Sequence, residues 1–213
     1  MAKYQSGIHG PFSGKVGTVV GASWKGIPYM RSIPKKRTGK VSDAEQANRK
    51  RFAIAQAWLK PLTPFLRVGF KSYRERLEGF VAAKSYLLKN AIEQDEGLFW
   101  INPEKALVSY GQLEVPSDVE TVFDEDNLQF QWKASGLNAS NARDQIMLMT
   151  YCLEEKQAVY ETHGAFRETG TAILALPANF KGKSILVYVA FVSADRESQS
   201  MSLFVGEMLV PVK

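Results

Sequence analysis

Residues that commonly build disulfides and metal sites are scarce in this sequence. It has one cysteine, Cys152, and two histidines, His9 and His163. A single cysteine forms no internal disulfide, and neither residue type occurs at the spacing of zinc ligands. No apolar run approaches the ~20 residues of a membrane helix, and no apolar segment follows Lys3 as in a secretory signal. We therefore expect synthesis in the cytoplasm, with a later phage particle or extracellular assembly left open.

Catalytic motifs are also missing. Gly14-Lys15 is followed by Val16, so a phosphate-binding loop lacks its Ser or Thr. No serine lies in a G-x-S-x-G context, and Cys152 lies in an apolar segment that indicates a buried, unreactive thiol. The acidic turn Asp124–Asp126 lacks EF-hand spacing. We expect a non-enzymatic protein with no catalytic residues, metal ligands, cofactor or small-molecule substrate.

Charge is divided unevenly along the 213 residues. Residues 1–90 contain eighteen Lys and Arg against four Asp and Glu, whereas residues 91–213 contain nine against eighteen. The formal net charge is +5. A basic front and an acidic back indicate either a polyanionic partner for the front or attraction between copies of the chain.

The stretch Gly10–Lys40 is rich in glycine and in positive charge. Repeated glycines and β-branched residues disfavour a helix here, so we predict two strands, Lys15–Gly21 and Ile27–Ile33, with an irregular hairpin near Gly21–Gly26. A ribbon this short does not bury large side chains by itself. The three that need cover are Trp24, Tyr29 and Met30.

The pattern SGKVGTVVGASWKGIPYMRS, Ser13 to Ser32, resembles the opening of an uncharacterised bacterial family, a domain of unknown function. The resemblance continues through Gln46–Arg49, Phe52 and Trp132 and covers most of the chain. It implies a similar layout and brings no catalytic residues. The glycine, tryptophan and basic residues of the opening are also similar to some phage structural proteins, over the front only.

Two helices are predicted after the basic tail. Ser42 and Glu45 have capping-box spacing, and apolar residues then recur at helical steps until Pro61 and Pro64. A second helix is predicted from Lys71 to about Ile92. We group residues 1–96 as a basic ribbon-and-helix domain.

Residues 97–213 are predicted to form an antiparallel β-sandwich, which gives an α+β protein overall. Trp132 and the Met-rich segment Ile146–Met149 are predicted core residues. The segment Val187–Asp195 with Ser200–Ser202 is similar to the last two strands of fibronectin type III-like domains. The predicted strands, separated by turn-rich segments, are Leu107–Leu113, Val119–Phe123, Asn127–Lys133, Gln145–Glu154, Ala158–Phe166, Gly170–Ala175, Ser184–Ala194 and Ser200–Pro211.

These features favour a structural or assembly protein that associates with itself. The glycine- and tryptophan-rich ribbon of one copy meets the sheet or acidic surface of the next, as in a phage-particle, phage-derived or filament subunit. The candidate contacts are Trp24, Tyr29 and Arg31.

Two other functions stay open. The first is nucleic-acid binding, in which basic side chains contact phosphates and Trp24 and Tyr29 stack on bases. The second is a protein- or carbohydrate-binding module whose binding edge is formed by the loops near Asn138–Arg143 and Asp195–Ser198, where the sequence has no aromatic residue. Besides Arg31, the candidate nucleic-acid contacts are Lys25, Lys35, Lys36, Arg37, Lys40, Arg49, Lys50 and Arg51.

Overall fold

The computed structural model describes residues 3–4, 10–36, 38–73, 78–134, 136–138 and 140–212. Contacts divide the chain into two compact units, Met1–Ser42 and Asp43–Lys213. The predicted boundary between residues 96 and 97 differs from this one. The helices after residue 43 share a hydrophobic core with the sandwich strands and so lie in the same compact unit.

The first unit is a four-stranded antiparallel sheet. Its strands follow one another in chain order. The predicted strand Lys15–Gly21 is wrong in its bounds. Gly17, at a φ of 57°, and Thr18 form a turn in the middle of that segment, so it is divided between two strands. The next turn consists of Lys25 and Gly26, both at positive φ, as a tight type I′ hairpin requires. The strands are β1 (Lys3–Tyr4), β2 (Phe12–Val16), β3 (Val19–Trp24) and β4 (Ile27–Ser32).

Three helices begin the second unit. α1 (Asp43–Leu59) has the predicted position and ends just before Pro61, where the chain forms a 3₁₀ turn, Lys60–Leu62. α2 (Thr63–Gly69) was not predicted. α3 (Gly79–Asn90) is shorter than the predicted helix from Lys71, because residues 71–73 form a turn instead. The part of that prediction at 74–77 lies outside the described residues.

The strands of the second unit form a hairpin and two larger sheets. The order is β11-β8-β7 in one sheet and β10-β9-β12-β13 in the other. This arrangement confirms the α+β class and the sandwich, while its fibronectin-like type stays a prediction. The strands are β5 (Ile92–Asp95) and β6 (Leu98–Ile101) in the hairpin, then β7 (Glu120–Asp124), β8 (Asn127–Gln131), β9 (Gln145–Cys152), β10 (Gln157–Glu161), β11 (Thr171–Ala175), β12 (Ser184–Val192) and β13 (Leu203–Leu209).

The predicted strand Leu107–Leu113 is wrong, because this segment is a buried connection. Val108 and Ser109 are buried and belong to no strand. The backbone N–H of Val108 donates to the Ser202 hydroxyl at 3.0 Å, and that of Tyr110 donates to Gly69 O at 2.8 Å. These partners replace a strand ladder, so the apolar run packs between elements without forming one.

Strands β9 and β12 lie at the centre of the second unit and are buried on both faces. Met147, Met149 and Tyr188 pack in a cluster with the helices. Ile146 and Trp132 pack in a second cluster, between the two sheets. The helices therefore cover the outer face of the larger sheet, which explains why β9 is apolar without alternation. The predicted core positions of Trp132 and Ile146–Met149 are confirmed.

No helix within the described ranges is both long and apolar enough to span a membrane.

Candidate assembly surface

The described residues of the sheet in unit 1–42 form no hydrophobic core of their own. Among its described residues only Gly21 is buried. A Cβ atom at Gly21 would lie 2.6 Å from Cδ2 of Phe12, so glycine at this position lets the Phe12 ring lie against the strand. The two hydrophobic clusters found among the described residues consist of residues after Asp43. The sheet is thus a single layer with large apolar side chains in solvent.

One face of this sheet carries the three predicted contact residues. Trp24 pairs with Ile27, and Tyr29 and Arg31 follow at alternate positions along β4, so all four side chains share a face. Trp24 is 59% exposed and Ile27 is 63% exposed. The structure therefore brings the predicted contacts Trp24, Tyr29 and Arg31 together, and adds Ile27 to them.

The opposite face contains a shallow apolar groove of about 310 Å³. Phe12, Pro28 and Met30 line it, together with Tyr29 between the last two and the segment that precedes β2. Met30 is 69% exposed. Both faces of the sheet thus present apolar surface.

The outer edge of β4 is also open. Ile33 N–H donates to Thr18 O at 3.0 Å, so odd-numbered residues of this segment bond towards β3. The N–H and C=O groups of Met30 and Ser32 therefore face away from β3. Pro28, which has no N–H, lies on the same outward side, as expected for an edge strand. Within the described chain no strand pairs with this edge, which can accept a further strand.

Positive charge is concentrated in the same unit. Residues 1–42 contain eight Lys and Arg and no Asp or Glu. Lys25 Nζ lies 5.5 Å from the centroid of the Trp24 ring, and Lys35, Lys36 and Lys40 are exposed. Arg37 lies outside the described residues.

The remaining basic candidates lie on α1, in the other compact unit. Arg49 forms an ion pair with Glu45 at 2.7 Å, and Arg51 donates to Leu88 O at 2.7 Å. Lys50 is exposed. Arg51 therefore helps to join α1 to α3, a structural role that sequence reasoning missed.

An apolar groove in the second unit was not predicted. It has a volume of about 430 Å³ and is lined by α1, β6 and the ends of β9 and β12. Trp58 and Tyr151 form its floor, with ring centroids 5.5 Å apart, and Trp100 and Leu153 are half-exposed on its walls. The local sequence signal that could have indicated this groove is Trp100, which lies in a short strand near an acidic turn. The other residues of the groove come from distant segments of the chain.

Acidic residues flank this groove. Glu154 and Glu155 follow Leu153, and both are exposed or nearly so. Asp95 and Glu96 lie at the tip of the hairpin that carries Trp100 and are exposed. Glu155 forms an ion pair with Lys183. Lys156 also lines the groove. The groove therefore has an apolar floor, and its surround carries these four acidic residues against Lys156 and Lys183.

The sandwich of the second unit also contains a buried ion pair. Arg167 Nη2 lies 3.3 Å from Asp144 Oδ2, and both side chains are almost fully buried. Burial raises the pKa of the Asp144 carboxyl, and the neighbouring guanidinium opposes this shift. Arg167 also lies 4.0 Å from the centroid of the Phe191 ring and contacts Glu114. These contacts hold the pair in place, so we assign it a role in the stability of the sandwich.

Among the described residues, the other sequence candidates form no reactive arrangement. Cys152 is buried in the core between the sheets. His163 is exposed and has Glu161 as a neighbour at 3.4 Å, and His9 lies outside the described residues. In the part of the chain that the structure describes, no three His, Cys, Asp or Glu residues are placed to hold a metal ion.

Comparison with known proteins places the chain in a family. The family model described as a family of unknown function, DUF6266, matches residues 11–206 and so spans both compact units. A search of curated proteins finds no match. The resemblance to an uncharacterised family is thereby confirmed. The chain belongs to DUF6266, a family of unknown function.

Proposed function

We propose that this protein is a non-enzymatic structural protein that assembles with copies of itself through the sheet of residues 1–42. One observation carries the proposal: a four-stranded sheet in which only Gly21 is buried among the described residues. A sheet normally needs cover on at least one face to be stable. A neighbouring copy supplies that cover. The phage-particle or filament subunit is the most concrete form of this function.

The acceptor on the neighbouring copy is the apolar groove at Trp58 and Trp100. Its size and apolar floor suit the Trp24–Ile27 end of the hairpin, and the excess of acidic over basic residues that flank it suits the Lys25 next to that end. Residues 43–213 contain nineteen Lys and Arg against twenty-two Asp and Glu, so they complement the basic sheet. Donor and acceptor are different surfaces, and such head-to-tail contacts produce rings or open filaments.

The contribution of Trp24 follows from its exposure. More than half of this side chain is in solvent, 59%, and covering it contributes about 2–3 kcal/mol at about 25 cal/mol per Å². Trp24→Ala should therefore weaken association by about 30- to 150-fold. Sedimentation velocity over a range of protein concentrations measures this shift. The matched control is Leu209→Ala, which removes a similarly exposed apolar side chain (66%) from another surface and should leave association unchanged.

A charge exchange identifies the acceptor. Lys25→Glu and Glu154→Lys should each weaken assembly, and the double variant should recover it, because the pair is restored with reversed sign. Glu125→Lys makes the same change in an exposed turn away from the groove and should have no effect. If the double variant is weaker than either single variant, the groove is not the acceptor.

Nucleic-acid binding is the second candidate, favoured by the eight Lys and Arg that residues 1–42 hold without any acidic residue. The exposed Lys35 and Lys36 would contact phosphates, and Trp24 would stack on a base. Fluorescence anisotropy with a labelled single-stranded oligonucleotide tests it. Affinity that falls steeply with salt supports this function, and the lack of any shift at low salt rejects it.

A further inference from the structure

A second cavity lies wholly within the unit Asp43–Lys213, at one end of the sandwich. Its volume is about 550 Å³, within the usual range for ligand sites. Three separate segments line it. They contribute Ser72 and Tyr73, then Tyr110 and Gln112, and finally Glu197 and Gln199.

Two tyrosines give this cavity a fixed aromatic wall. The rings of Tyr73 and Tyr110 meet edge to face with centroids 4.8 Å apart, and Phe70 stacks on Tyr110 at 6.4 Å. Tyr73 and Tyr110 are partly exposed. The sequence has no aromatic residue in the loop Asp195–Ser198, but the fold places these two beside it. A carbohydrate-binding edge commonly needs aromatic side chains, and here they come from distant parts of the chain and not from the loop itself.

A buried amide at the cavity lacks a partner. Gln199 is fully buried, and its Nε2 has no hydrogen-bond partner among the described residues. Its Oε1 lies 2.6 Å from the Ser72 hydroxyl, which also lies 2.9 Å from Glu197 O and has only one proton to donate. A buried amide group without a partner is destabilising. The terminal amide torsion is soft, so the group can turn to meet a ligand hydroxyl.

The rim of the cavity is electrically balanced. Glu197 forms an ion pair with Lys71 at 2.6 Å, so its carboxylate is neutralised. This ion pair therefore offers no net charge that would attract a charged ligand. Aromatic rings, a hydroxyl and amide groups around a balanced rim match a neutral ligand with an apolar face and several hydroxyls.

We propose that the cavity between Tyr73, Tyr110 and Gln199 binds a carbohydrate, as a mono- or disaccharide unit. Because the two tyrosine rings are nearly perpendicular, one face of the sugar ring stacks on one of them, and the sugar hydroxyls pair with the Gln199 amide and Ser72. This site shares no lining residue with the surfaces proposed for assembly, so either proposal can fail without the other.

Saturation-transfer NMR on the full chain tests the site with glucose, N-acetylglucosamine, cellobiose and chitobiose as probes. Transfer to at least one sugar is expected. Ser198→Phe places a ring at the cavity and should weaken binding by at least about tenfold. The hydrogen bonds of Ser198 run through its backbone N–H and C=O, so the substitution leaves them in place.

Ser117→Phe is the matched control, because it adds the same ring at another exposed loop and should bind as the unchanged protein does. The proposal is overturned if none of these sugars shows transfer. It is also overturned if Ser198→Phe binds as well as the control, or if inorganic phosphate or a tripeptide binds the cavity in place of a sugar.

Discussion

Replacing Arg167 by Met should strongly destabilise the sandwich. The side chains of Arg167 and Asp144 are only 5% and 3% exposed, and their charged atoms lie 3.3 Å apart. Met keeps much of the apolar stem over Phe191 but removes the charge. Asp144 is then left buried without its partner. Breaking a buried pair in this way typically costs about 3–5 kcal/mol. The exposed Glu114 adds little, since its side chain remains in solvent.

Urea unfolding measures this loss as a fall in the transition midpoint at constant slope. The double variant Asp144→Leu with Arg167→Met should recover at least about 2 kcal/mol, because no buried charge remains. Lys133→Met removes the cation of an exposed pair with Asp118 and should change stability by less than about 0.5 kcal/mol. A loss below about 1 kcal/mol for Arg167→Met would show that Asp144 finds water or another partner, and would refute this reasoning.

The pH dependence of that variant has a definite sign. Burial already raises the pKa of Asp144 above its usual value, and loss of the guanidinium raises it further. A carboxyl with a raised folded pKa favours folding below the unfolded value, about 3.9, and loses that contribution as pH rises through the folded pKa. The stability deficit of Arg167→Met should therefore grow from acidic to neutral pH.

Two further predictions concern the core. Cys152 should react with a thiol reagent only as fast as the protein opens, so its labelling rate should rise with urea; prompt labelling of the native protein would contradict its burial. Leu59→Ala should cost about 2–5 kcal/mol and shift the unfolding of helices and sandwich together, because Leu59 packs in one cluster with Met149 and Tyr188. Far-UV circular dichroism and tyrosine fluorescence should then show one transition for this unit, and a separate earlier helix transition would contradict the shared core.

Much of the fold could be predicted where local pattern and tertiary burial agree. Residues 145–152 and 184–192 form long apolar runs that read as strands, and both lie at the centre of the larger sheet. Pro61 fixes the end of α1 locally because its ring and missing N–H interrupt a helix. Trp132 could be placed in the core because it continues the alternation of β8.

The failures arise where distant segments decide the structure. The run Ala106–Val108 is apolar enough for a strand, yet contacts with Gly69 and Ser202 hold it as a connection. The boundary at residue 96 rests on a change of pattern and stays a prediction, and the burial of helices and larger sheet in one shared cluster is something that no local pattern reports.

The candidate surfaces also differ in whether local pattern or distant segments form them. The shared face of Trp24, Tyr29 and Arg31 could be predicted from alternation in one strand and one tight turn, while their role as contacts stays a prediction. The groove at Trp100 and the cavity at Tyr110 combine residues far apart in sequence. No local pattern reports which distant side chains share a cavity, so these two sites emerged only from the fold.

The most direct test of the central claim is the mass of the full chain, freed of nucleic acid, by size-exclusion chromatography with light scattering at low and high salt. Self-assembly predicts a mass well above the 23.8 kDa of one chain, increasing with protein concentration. High salt should reduce that mass by screening attraction between the basic sheet and the acidic groove surround. A monomer at every concentration in both buffers would contradict self-assembly as the function of residues 1–42.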